Sequence, residues 1–110
     1  MARQIILNYN DKEYILEYTR GSIRTMEANG FNVNEVGNKP AMMIPILIQG
    51  AFIKHHRFLK ENEIEEIINS IPKKTELIGD LSNMVLAAYT DLLEDNKEVD
   101  EKKASWKIVK

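Results

Sequence analysis

The sequence predicts an α+β, mostly α domain: an N-terminal β-hairpin packed on a bundle of about four helices, with a flexible C-terminal tail. Three observations carry this. "QIILNYN" and "EYILEY" alternate apolar and polar residues with period two, the signature of half-buried strands. The run from Pro40 to His56 is apolar on nearly all sides, as a central helix is. From Leu77 to Leu93 the apolar residues recur at alternating spacings of three and four, one face of a long helix.

In the hairpin, Ile5, Leu7 and Tyr9 share one face and Tyr14, Leu16 and Tyr18 another. If both sets face one core, antiparallel partners must sum to an odd number. A two-residue loop at Asp11–Lys12 then pairs Tyr9 with Tyr14, Leu7 with Leu16 and Ile5 with Tyr18. Two strands alone are barely stable, so helices must cover this face.

Thr19 is placed to cap a short helix over roughly 20–29, with Ile23 and Met26 three apart and Gly30 suited to the left-handed position after its end. "NVNEVGNKP" is a polar loop with room for one helical turn, Val33 and Val36 folding inward. Asn38 or Lys39 caps the next helix and Pro40 fits its first turn, while Pro45 lies either still in that turn or at a kink. Gly50 costs about 1 kcal/mol relative to alanine inside a helix, which implies close approach of a neighbouring backbone. "KENEIEEIINSI" aligns Ile64, Ile67, Ile68 and Ile71 opposite a carboxylate face and stops at Pro72. Thr75 caps the last helix, which ends near Asp95. One domain thus spans residues 1–95, and residues 96–110 form a charged tail containing Trp106.

Composition narrows the function classes. Net charge is −2, so nucleic-acid binding would need a local basic patch. There are no cysteines, which removes disulfides, thiolate metal sites and a cysteine nucleophile. The longest apolar run, "AMMIPILIQGAFI", is about 13 residues, short of the ~20 that span a bilayer. The start "MARQIILNYNDKEY" has no continuous apolar stretch of the secretory kind, so a cytosolic protein is expected.

The chemistry-bearing residues are few. His55 and His56 are the only histidines. Adjacent helical residues point ~100° apart, so the two cannot face one metal as an i, i+4 pair can, and no HExxH supplies further ligands. Lys54, His55, His56 and Arg57 read as a cationic helix end meeting solvent, where cations suit the helix dipole. No serine lies in a Gly-x-Ser-x-Gly elbow and no glycine-rich phosphate loop is present. No cofactor is expected. Met42, Met43 and Met84 are taken as core filling rather than as an adaptable binding surface. Trp106, in an otherwise polar tail, has reason to be there if it docks on its own domain or on a partner. With Ile108, Val109 and Leu86 it makes up the candidate contact set.

The order "ILNYNDKEYILEYTRGSIRTMEANGF", then "KPAMMIPILIQGAFIKHH", then "ASWK" resembles the small tail assembly chaperones of long-tailed phages infecting Gram-positive bacteria. The matching positions are Tyr18, Met26, Glu27, Gly30, Phe31, Pro40, Pro45, Gly50, Ala51, Phe52, Lys54, His55, His56 and Trp106. The turn "NDKE" departs from the Asp-Gly expected there. The resemblance implies a non-enzymatic protein of the host cytoplasm that binds the tape measure protein, keeps it soluble and helps recruit tail tube subunits. It implies absence from the mature virion, and in many such proteins a longer form made by ribosomal frameshift. A homo-oligomer stays open; nucleic acid and membrane are not expected as partners. The alternatives are a small phage DNA-binding regulator and a structural head–tail or tail component.

Overall fold

The structure, a computed structural model, describes residues 3–93 and 107–109. The order is β1 (Ile5–Tyr9), β2 (Lys12–Leu16), α1 (Arg20–Ala28), a 3-10 turn (Val33–Glu35), α2 (Pro40–His56), α3 (Glu61–Asn69) and α4 (Lys74–Leu93). This is the hairpin followed by four helices that the sequence predicts. Trp106 and the helix end expected near Asp95 lie outside the described residues, as does most of the segment assigned to the tail.

The hairpin register differs from expectation by two residues. Ile5 pairs with Leu16, Leu7 with Tyr14 and Tyr9 with Lys12, because the turn sits at Asn10–Asp11 and not at Asp11–Lys12. Asn10 and Asp11 have φ of 50° and 63°, the doubly left-handed geometry whose twist matches that of the flanking strands. Asn and Asp are the non-glycine residues that tolerate this region best, so "ND" takes the turn in place of Asn-Gly. The odd sum survives the shift, and with it the face: Leu7 and Leu16 are buried while Ile6 is exposed.

Thr19 caps α1 as predicted. Its Oγ1 accepts from Ser22 N at 3.1 Å, and Thr19 N donates to Ser22 Oγ at 2.7 Å. At the other end Gly30 N donates to Glu27 O and Phe31 N to Met26 O, each at 3.0 Å, and Gly30 has φ of 99°. These are the two bonds of a Schellman cap, and they bury Phe31 beside Met26 in the core.

α2 is the hub, touching β2, α1, the 3-10 turn and α4. Lys39 occupies its cap position without a side-chain cap bond, Pro40 opens it, and Pro45 lies inside it. Its burial is less complete than its composition suggests: Met43, Leu47, Ile48, Gly50, Ala51 and Phe52 are buried, but Ala41, Met42 and Pro45 are exposed. Met43 and Met84 fill core as expected, whereas Met42 does not. At Gly50 the close neighbour is a side chain, not a backbone: a Cβ there would collide with Sδ and Cγ of Met26.

α3 turns Ile64, Ile67 and Ile68 inward, and α4 buries Leu81, Met84 and Val85. Lys60 N donates to Glu63 Oε1 at 3.2 Å, closing the start of α3. α4 begins at Lys74, so Thr75 lies within its first turn and is not its cap. Among the described residues no helix is long and apolar enough to cross a membrane.

Candidate functional site

His55 and His56 stand in the basic last turn of α2 as expected, His55 exposed and His56 half-buried, but their rings have partners that the sequence did not suggest. Both turn back onto the hairpin. β2 pairs with β1 along one edge, and its other edge meets α2. Along that edge Ile15 N donates to His56 Nε2 at 2.9 Å, and Glu17 N donates to Ala51 O at 2.9 Å. α2 therefore closes the strand edge that would otherwise carry unpaired amides. Because His56 accepts through Nε2, its proton resides on Nδ1.

The ring of His56 lies 5.1 Å from that of Tyr14 and 6.2 Å from that of Phe52. Burial, and secondarily the neighbouring His55, hold its imidazole below the ordinary value of 6.5. His55 Nε2 donates to Glu17 Oε1 at 2.8 Å, and Gln4 Nε2 donates to the same oxygen at 3.0 Å. The bond from His55, then that from Gln4, keep the Glu17 carboxyl below its usual range. Each Nε2 thus has a defined partner within the fold. Among the described residues no group of three His, Cys, Asp or Glu side chains gathers as a metal site. Lys54, His55 and Arg57 are the exposed members of the quartet, Arg57 lying 5.3 Å from the centroid of the Phe58 ring.

Two further polar ties join distant parts of the chain, one buried and one exposed. Tyr18 Oη donates to Leu47 O at 2.6 Å, and burial pushes its phenol far up. Tyr89 Oη donates to Glu27 Oε2 at 2.8 Å, joining α4 to α1; burial first, and this bond second, push it up to about 12.

Most residues singled out from the sequence are structural. Tyr18, Met26, Phe31, Gly50 and Phe52 are buried, Gly30 takes the left-handed turn, and Pro40 opens α2. The contact candidates fall differently. Leu86 is 50% exposed, Ile108 70% and Val109 85%. Leu93, one heptad from Leu86 on α4, is 86% exposed, so two leucines share an uncovered face. Phe58, which sequence reasoning passed over, and Met42 are also exposed. Nothing in the local spacing distinguishes Phe58 from a core residue. An open groove of about 270 Å³ runs between α2 and α3, with Ile44, Pro45, Ile48, Ile64 and Ile68 in its lining and Glu65 at its side.

Residues 1–109 match the family described as Domain of unknown function (DUF5055), and the chain belongs to that family. No curated protein and no solved structure matches.

Proposed function

We propose that this DUF5055 chain is a phage tail assembly chaperone, acting by protein–protein contact and not by catalysis. Its client is the tape measure protein, which it keeps soluble in the host cytoplasm while tail tube subunits are recruited; it does not remain in the mature virion. The observation that carries this reading is the uncovered apolar pair on one face of α4, Leu86 and Leu93. The resemblance of the hairpin, the "GAFIKHH" helix and "ASWK" to that chaperone family supplies the identity of the client.

Physically, an elongated client presents helical apolar stripes before it assembles, and a chaperone must cover them reversibly. Helix-in-groove contacts between amphipathic helices do this with modest area. Co-expression with a tape measure protein of a long-tailed phage is the test. The client should move into the soluble fraction and co-purify with the chain. If it stays equally insoluble and no complex forms, the proposal fails.

A further inference from the structure

The geometry points to the α2–α3 groove as the seat for the Lys107–Val109 segment of a second copy of this chain. The groove's floor is apolar, built from Ile44, Pro45, Ile48, Ile64 and Ile68, and its volume of about 270 Å³ suits one or two branched aliphatic side chains. Its α3 side is acidic. Glu61, Glu63, Glu65 and Glu66 are all exposed, and no cation occurs within Glu61–Asn69. Glu61 and Glu65 are one turn apart and so share a face. The nearby cation, Lys74, has its Nζ 3.2 Å from Asn69 Oδ1 at the edge of the groove.

The C-terminal segment has the complementary pattern. Ile108 and Val109 are exposed, and lysines precede and follow them at Lys107 and Lys110. An apolar pair between cations fits an apolar floor beside carboxylates, in both hydrophobic and electrostatic terms. Within the single chain the two complementary surfaces do not satisfy each other, since Ile108 and Val109 stand clear. A second copy supplies what each lacks. If the exchange is reciprocal it closes as a two-fold dimer, burying the same pair of surfaces twice.

The contact is small, so association is weak and concentration-dependent. Sedimentation velocity on the full chain from about 10 μM to 1 mM brackets that range. Isoleucine-methyl NMR over the same range reads the groove directly. The expected result is faster sedimentation with rising concentration, with the methyls of Ile44, Ile48, Ile64 and Ile68 shifting in step. The double variant I108D/V109D alters only exposed side chains and should weaken association at least tenfold. E65K should weaken it too, and K107E added to E65K should restore part of the loss.

Three outcomes overturn the inference. Association unaffected by I108D/V109D assigns the dimer to another face. Groove methyls that respond to I108D/V109D in a chain monomeric at all concentrations assign the segment to its own groove. A monomer whose groove methyls ignore the variant shows that the segment does not sit there at all.

Discussion

Replacing His56 by phenylalanine isolates the bond that closes the edge of β2. Phe keeps an aromatic ring against Tyr14 and Phe52, whose centroids lie 5.1 and 6.2 Å from the imidazole, but removes the acceptor 2.9 Å from Ile15 N. An amide left without a partner costs about 1–3 kcal/mol when buried. Ile15 and His56 are half-buried, so water replaces part of the bond and the lower end applies, about 1–1.5 kcal/mol. In a domain of this size that lowers Tm by roughly 5 °C. His56→Gln, which offers an amide oxygen in place of Nε2, should recover part of the loss.

The same bond sets a pH dependence. The folded-state value of His56 lies below 6.5, so between the two values the unfolded chain binds a proton that the folded chain does not. Stability from this group is complete above pH 6.5 and declines as pH falls through the folded-state value. Glu17, whose carboxyl is lowered from 4.5, adds a second decline below that pH. Urea unfolding of wild type and both variants at several pH values between 4 and 8 reads all of this. If His56→Phe is as stable as wild type at pH 7.5, or if the slope just below pH 6.5 persists unchanged in His56→Gln, the edge-closure reasoning is wrong.

Other perturbations follow from single contacts. Gly50→Ala gains about 1 kcal/mol of helix propensity but drives a Cβ into the Met26 side chain, an overpacking that costs about 1–3 kcal/mol. A net loss near 1 kcal/mol is expected, and a double-mutant cycle with Met26→Ala should show coupling above about 0.5 kcal/mol. Asp11→Gly relieves a left-handed residue at φ 63° and should raise stability by about 0.5–1 kcal/mol in denaturant unfolding. Tyr18→Phe removes a 2.6 Å bond to Leu47 O and should cost about 0.5–1.5 kcal/mol. Since burial raises the Tyr18 phenol, the wild type should lose stability as pH climbs above 10, and ultraviolet titration should find this tyrosine un-ionised until the chain unfolds.

The helices were legible because their signals are local. The Thr19 cap, the Gly30 terminus and the Pro40 start each act within one turn, and the apolar spacing of α4 needs no partner to be read. The hairpin face was legible from parity, but the register was not, because it depended on which two residues accept left-handed geometry. Asn10–Asp11 was the readable clue. The bonds of the histidines were not legible because their partners are 38 and 41 residues away. An edge amide on Ile15 and a carboxylate on Glu17 leave no mark near position 55. For the same reason, a helix apolar all round could not reveal that Met42 and Pro45 would stay uncovered, since that depends on where distant elements pack against it.

The claim that this chain acts by covering a client is tested most directly by co-expressing it, wild type or L86D/L93D, with the tape measure protein. Soluble client recovered in complex with the chain is the readout. Both leucines are exposed, so the variant should fold as wild type does, which circular dichroism checks. The account predicts a soluble complex with wild type and a clear loss of recovered client with the variant. An equal yield of soluble client with wild type, with the variant and with no chaperone at all would contradict it.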